Sequence, residues 1–262
     1  MFGWLSLEIF AMNEKSATTI VVPCYNEATR LMPECFSAFC AGASDVHFLF
    51  VNDGSTDSTG HILEQLHQSN PNAFSWLNLE RNGGKAAAVR AGVLMAMGDP
   101  KTRFVGYWDA DLATPLESIP HFMKRFETTP PVDMVFGARV RLLGRDIQRR
   151  PVRHYLGRCF ATVASLVLRL PIYDTQCGAK IFRVTPELRE VFTAPFLTSW
   201  VFDVEILARF MAQRHGNSQS MSHAIFEYPL HQWKDVAGSR VKPLDFVKAF
   251  WELLRIYWVY LR

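Results

Sequence analysis

The sequence predicts an α/β domain with a mostly parallel central sheet. Short β-branched and aromatic runs alternate with runs of helix-spaced apolar residues, and a cluster of polar residues follows each of the first strands. The 262 residues, 49% hydrophobic and 20% charged, are enough for one sizeable core and exclude a disordered chain. A formal net charge of +3 is too small to point to nucleic acid, so no nucleic-acid partner is expected.

Five runs read as strands, at 18–23, 46–52, 74–79, 103–108 and 132–137, each rich in Val, Ile, Phe, Tyr or Trp. Between them, 27–41, 56–68, 84–97 and 116–126 carry apolar residues at helical spacing. In such a sheet, ligands collect at the carboxyl ends of the strands, where the polar clusters of this chain fall. The second half is less regular, with a helix expected over 155–170, a Gly-containing run at 174–182 and a helix after Trp200.

Both ends read as amphipathic. Phe2, Leu5, Ile9 and Met12 recur at helical spacing, and beyond Pro243 the residues Val247, Phe250, Trp251, Leu254, Tyr257, Trp258 and Leu261 share a broad face. The C-terminal helix either completes the core or lies on a membrane surface, and its terminal aromatics favour the interface. The expected organisation is therefore an N-terminal segment over 1–16, a main domain over 17–240 and a C-terminal helix over 241–262. The longest stretches free of charge and proline, such as 159–168, reach about half of the ~20 apolar residues needed to span a bilayer. Five cysteines with no CxxC pair favour a reducing compartment and exclude a structural zinc site.

Asp109-Ala110-Asp111, directly after the fourth strand, is the sharpest chemical feature. Residues i and i+2 of an extended chain point to one side, so two hard carboxylate ligands converge where Mg²⁺ or Mn²⁺ could bridge a diphosphate. Such a pair also occurs in solvated loops. The clusters Pro23-Cys24-Tyr25-Asn26-Glu27 and Asn52-Asp53-Gly54-Ser55-Thr56-Asp57 follow the first two strands. Asp53 is placed to accept hydrogen bonds from a ribose or base, and Asp57 reads only as a helix cap. Arg81-Asn82-Gly83-Gly84-Lys85 opens a helix whose N-terminus suits phosphate. Seven arginines against one acid, Asp146, occupy 139–158, which suits phosphate or anionic headgroups as well as a solvated face.

Taken together, Pro23-x-Tyr25-Asn26-Glu27, Asp53-Gly54-Ser55-x-Asp57 and Asp109-x-Asp111 resemble glycosyltransferase family 2, whose members have the Rossmann-like GT-A fold. The runs 174–182 (DTQCGAKIF) and 200–205 (WVFDVE), with Trp233 followed by Gly238-Ser239-Arg240, are similar to dolichyl-phosphate glucosyltransferases. That resemblance implies an inverting, metal-dependent hexosyltransferase using a nucleoside-diphosphate donor, with UDP-glucose favoured, and a polyprenyl phosphate acceptor. It implies that Pro23, Tyr25, Glu27 and Asp53 hold the nucleoside, that Lys85 and Arg240 face the diphosphate, and that Asp109 and Asp111 hold the metal. Polyprenyl-phosphate mannose synthases often add a ligand two positions later, where this chain has Ala113.

Asp203 occupies the place of the base in other members and either serves as one, orients the sugar, or forms a helix N-terminal charge pair with Glu205. Arg139, Arg141 and Gln176 are expected to meet the acceptor, with the 155–170 helix offering apolar surface to its chain. A cytoplasmic, peripheral location on a membrane follows, with oligomeric state left open. Transfer to a glycan or glycolipid hydroxyl is the alternative, and it would need a true general base. An inactive membrane-associated scaffold is a second alternative, disfavoured by the intact Asp53, Asp109, Asp111 and Lys85.

Overall fold

The computed structural model describes residues 17–42, 45–128, 130–148, 151–236 and 243–262, the side chains of 151–154 and 243–247 excepted. The expected segment over 1–16 and Arg240 therefore lie outside the described residues.

The expected alternation is present: β1 (Thr18–Cys24), α1 (Pro33–Gly42), β2 (Val46–Asp53), α2 (Thr59–Ser69), β3 (Phe74–Leu79), α3 (Lys85–Gly98), β4 (Phe104–Trp108) and α4 (Ser118–Arg125). β5 (Met134–Ala138), β6 (Asp146–Gln148), α5 (Pro151–Leu168), β7 (Ala179–Arg183), α6 (Pro186–Thr193), α7 (Phe202–Gln213), α8 (Ser218–Ala224), β8 (Ile225–Pro229), β9 (Gln232–Lys234) and α9 (Pro243–Ile256) follow. A π-helical turn over Tyr257–Leu261 ends the chain.

Seven strands form one sheet in the order β3-β2-β1-β4-β7-β5-β8. All run parallel except β7, which is antiparallel to both β4 and β5. Period-2 alternation sends Val21, Val105 and Tyr107 into a core shared with α3, α6 and α7, and Ile20, Val22, Phe104 and Trp108 into the opposite core under α1, α2 and α4. Both faces are covered, which is why these strands read as continuous apolar runs. α3 approaches the sheet closely at Gly92, where an added Cβ would lie 2.4 Å from a Val21 methyl.

Two expected helices start late. Residues 27–32 form turns closed by Arg30 and Leu31 N–H groups on Glu27 O, at 2.9 and 2.8 Å, and α1 begins only at Pro33, a proline in the first helical position. α2 begins at Thr59, whose N–H donates to the Asp57 carboxylate at 3.0 Å. β7, β8 and the small parallel β6–β9 pair were not anticipated.

α9 docks on the core through Ala249, Leu253 and Ile256. Glu252 accepts hydrogen bonds from the backbone N–H groups of Ser199, Trp200 and Val201 at 3.3, 2.9 and 3.0 Å. Farther on, Tyr260 donates to Glu205 at 3.1 Å. The opposite face of α9 leaves Phe250 and Trp251 exposed.

Candidate active site

The carboxyl ends of β1, β2 and β4 and the N-terminus of α3 line one side of a cavity of about 650 Å³, within the usual range for a small-molecule site. Pro23, Tyr25, Glu27, Asp53, Lys85, Asp109, Asp111, Arg139 and Gln176 all line it. Of the eleven expected site residues that the structure describes, these nine line the cavity, and Asp203 and Arg141 fall elsewhere.

The two N-terminal loops are stitched together. Asn26, at φ 51°, donates its backbone N–H to Ser55 Oγ at 3.0 Å and accepts from Thr56 N–H at 2.8 Å through its side chain. The Glu27 N–H reaches Thr59 Oγ1 at 2.8 Å, while the Glu27 carboxylate pairs with Arg30. Asp57 does more than cap a helix: it accepts from Thr59 N–H at 3.0 Å and from Ala28 N–H at 3.2 Å, clamping the β1 loop to the start of α2. Burial pushes its pKa up, but the hydrogen bonds from Thr59 and Ala28 outweigh that and leave it lowered.

Asp53, at the end of β2, accepts the backbone N–H groups of Gly83 and Gly84, both at 2.8 Å. Gly54 makes this possible with φ +63°, and an added Cβ would lie 2.6 Å from Asn82 N. Asp53 thus shapes the turn before α3 while its edge still faces the cavity. Asn82, which also lines the cavity, was passed over although it lies within the Arg81–Lys85 cluster.

Lys85, first residue of α3, places Nζ 2.5 Å from Asp109 Oδ1. Burial would lower its pKa, but the carboxylates of Asp109, Asp203 and Asp111 raise it overall, so the lysine is held charged. Leu112, at φ 51°, turns the chain after Asp111, which accepts from Ala113 N–H at 3.1 Å. Burial first, then the neighbouring Asp109 charge, raises the pKa of Asp111. Gly178 presses against this pair: its O accepts the Asp109 N–H at 3.1 Å, and a Cβ there would fall 1.8 Å from Asp109 Oδ2. The glycine of the 174–182 run is therefore the contact surface for the Asp109 carboxylate.

Asp111, raised in this way, forms with Asp109 a hard-oxygen pair whose mutual repulsion a divalent cation would relieve. No trio of acidic, His or Cys side chains stands together as a metal cluster among the described residues. A cation held by Asp109 and Asp111 would take its remaining ligands from phosphate and water, which fits the alanine at 113.

The opposite wall comes from β5, α5 and the 173–178 loop. Glu227 on β8 accepts the Tyr173 and Asp174 N–H groups, both at 2.7 Å, and burial raises its pKa despite these bonds. Asp174 in turn holds Arg139 through Nε at 2.6 Å and Nη2 at 2.8 Å. Arg158 donates to Tyr173 O at 3.0 Å and stacks on that ring. Thr175 Oγ1 and Gln176 Nε2, both on the cavity lining, are buried without a hydrogen-bond partner among the described residues. Gly157, Phe160 and Ala161 of α5, with Trp200 and Ala249, make the remaining wall apolar.

Asp203 does not line the cavity. It lies buried behind the wall, pairing with Lys180 Nζ at 2.5 Å and accepting from the Tyr107 hydroxyl. Burial and the Asp203 charge raise the Tyr107 pKa well above its ordinary value, so the phenol stays a donor. Asp203 and Glu205 both stand in the first turn of α7, as the helix N-terminal alternative expects, and Glu205 accepts Leu197 and Thr198 N–H groups and pairs with Arg209 at 2.7 Å. Lys180 was missed, and its signal was a charge set between the apolar residues Ala179 and Ile181 of β7. Arg141 is exposed and lines a separate surface hollow with Leu143, Arg145 and Asp235, of which only Asp235 also reaches the cavity.

Comparison with known proteins agrees with this geometry. The model described as "Glycosyl transferase family 2" matches residues 19–188. A dolichyl-phosphate beta-glucosyltransferase of Trichomonas vaginalis is 30% identical over 251 residues, covering 91% of this chain and 70% of the relative. The Saccharomyces cerevisiae dolichyl-phosphate beta-glucosyltransferase is 27% identical, covering 95% of this chain and 76% of its own. Among solved structures, glucosyl-3-phosphoglycerate synthase from Mycobacterium tuberculosis, in complex with Mn²⁺, uridine-diphosphate and glucosyl-3-phosphoglycerate, superposes with a TM-score of 0.62 at 17% identity, over 94% of this chain and 81% of that one. A mannosyltransferase from Pyrobaculum calidifontis with GDP-Man and Mn²⁺ gives 0.59 at 17% identity, over 92% and 65%.

Proposed function

The chain belongs to glycosyl transferase family 2, and from that premise we propose that it transfers glucose from UDP-glucose to a polyprenyl phosphate of the dolichyl type, inverting the anomeric centre, as a peripheral enzyme on the cytoplasmic face of a membrane. The names of its relatives support the sugar and the acceptor. No helix among the described residues is long and apolar enough to cross a membrane.

The observation that carries the acceptor is the burial of Asp203 against Lys180 and Tyr107. Transfer to a hydroxyl needs a base beside the nucleophile. Here three of the carboxylates on the cavity wall have other work: Glu27 pairs with Arg30, Asp53 shapes the α3 turn and Asp174 holds Arg139. A phosphate monoester arrives already anionic and needs no such base. Its oxygen forms the new bond to the anomeric carbon while the bond from that carbon to the diphosphate oxygen breaks, and the electron pair leaves with the nucleoside diphosphate.

Pro23, Tyr25, Glu27, Asp53 and Asn82 are the residues we assign to the nucleoside, with Lys85 and the α3 N-terminus beside the diphosphate. Asp109 and Asp111 would hold Mg²⁺ or Mn²⁺, which when bound would offset charge on the departing diphosphate. Lys85 supplies a second positive charge at that place. Arg240 is assigned to the diphosphate from its sequence position alone. On the acceptor side, Arg139, Arg158 and the unpartnered Gln176 amide would receive the phosphate. The apolar wall of Phe160, Ala161, Trp200 and Ala249 would take the first isoprene units.

The test is transfer of labelled sugar from UDP-glucose, UDP-N-acetylglucosamine or GDP-mannose into an extractable polyprenyl phosphate, with Mg²⁺ or Mn²⁺ and with EDTA. Metal-dependent labelling from UDP-glucose alone is the expected result. Donor hydrolysis without lipid labelling would refute the acceptor, and labelling from GDP-mannose would refute the donor.

A further inference from the structure

Three elements that line the cavity carry exposed apolar side chains beside their lining residues. The loop after β5 contributes Arg139 to the lining and, beyond it, Leu142 and Leu143, which are 50% and 105% exposed. α5 contributes Gly157 and Phe160 and exposes Tyr155 and Leu156 just before them. α9 contributes Ala249 and exposes Phe250 and Trp251 just after it. Isolated exposed apolar residues are ordinary, but three separate elements presenting them at the rim of one cavity mark an interaction surface.

Charge selects what covers that surface. Arg141 and Arg145 flank the two leucines, beside Asp146 and Asp235 in the same hollow, and they belong to the 139–158 segment that holds seven arginines against Asp146 alone. Gly144 turns the loop with φ +80°, and Lys248, 3.8 Å from Glu252, stands next to the α9 aromatics with its side chain 57% exposed. A two-fold contact with a second copy would set the same basic groups against one another, whereas lipid phosphates neutralise them.

We infer that the rim of the cavity docks on an anionic phospholipid bilayer, with Leu142 and Leu143 entering the interface and Arg141 and Arg145 taking headgroup phosphates. This rests on the reading that the acceptor is a lipid phosphate, since docking in this orientation opens the cavity directly to the layer in which that phosphate lies. Tyr155 and Trp251 are placed at headgroup depth, where amphipathic rings are favoured.

The experiment is sedimentation of the full chain with vesicles of phosphatidylcholine, with and without phosphatidylserine, for the wild type and the L142S/L143S variant. Two arginines at roughly fivefold each give about a 25-fold preference for the anionic vesicles. Loss of both leucines should weaken that binding by about tenfold. Both leucines are exposed and touch none of the assigned site, so transfer to a short-chain, water-soluble polyprenyl phosphate without vesicles should be unchanged.

A wild type that stays in the supernatant with anionic vesicles, or a variant that pellets as the wild type does, overturns the docking. A wild-type dimer abolished by L142S/L143S would assign the rim to a second copy and overturn it too. Absence of short-chain transfer in both proteins would instead overturn the proposed activity, and is read independently of the pellet.

Discussion

Replacing Gly178 by Ala should separate activity from stability. The added Cβ would lie 1.8 Å from Asp109 Oδ2 and 2.2 Å from its Cγ. Ordinary contact is about 3.5 Å, so the Asp109 carboxylate must retreat by roughly 1.5 Å. It can do so, because the Asp109 side chain is 37% exposed and swings at the expense of one ion pair, that with Lys85. Stability should therefore fall by less than about 1 kcal/mol, the scale of a partly exposed ion pair.

Transfer should fall far more. A displacement of about 1 Å at a reacting centre typically costs about 100-fold in rate, close to 3 kcal/mol. The loss should appear equally in metal-dependent binding of UDP, which reports Asp109 without chemistry. Gly106→Ala is the contrast, because its Cβ would meet the backbone O of Lys180 at 2.3 Å, and a paired strand cannot swing away. That variant should lose about 1–3 kcal/mol of stability. A folded Gly178→Ala enzyme working within about threefold of the wild type would refute the role given to the Asp109 position.

Lys180→Met leaves Asp203 buried without its cation and should cost about 3–5 kcal/mol, roughly 10 °C in Tm by calorimetry, with Lys180→Met/Asp203→Leu recovering part of the loss. Asp57→Ala removes the carboxylate that holds Ala28 and Thr59 and should cost about 1 kcal/mol in urea unfolding at pH 7. Because the folded-state pKa of Asp57 is lowered, its contribution is present above the ordinary carboxylate range and lost as pH falls through the folded value, so the difference between wild type and variant should vanish in acid. Arg139→Ala should raise the acceptor KM by about 10- to 100-fold with donor KM unchanged, whereas Arg141→Ala, outside the cavity, should leave the KM for a soluble acceptor unaltered.

The first half of the fold was legible because each strand there is buried on both faces and followed by a polar cluster, two signals that coincide at Asp53 and Asp109. β7 escaped because it is entered from the long 169–178 loop and inserted antiparallel between strands far apart in sequence, a pairing that no local period reports. The same distance in sequence explains the site's unanticipated features. The relation of Arg139 to Asp174, of Glu227 to the 173–174 backbone and of Lys180 to Asp203 spans 23 to 54 residues in each case, so composition announces the charges and only the sheet order pairs them. Even the glycine at 178 carried a readable signal of motif but not of cause, which is a carboxylate 69 positions earlier, Asp109, occupying the space a side chain would need. A buried Asp203 follows the same logic: the residue type suggested a base, and its burial beside a lysine of β7 is the observation on which the proposed, already charged acceptor rests.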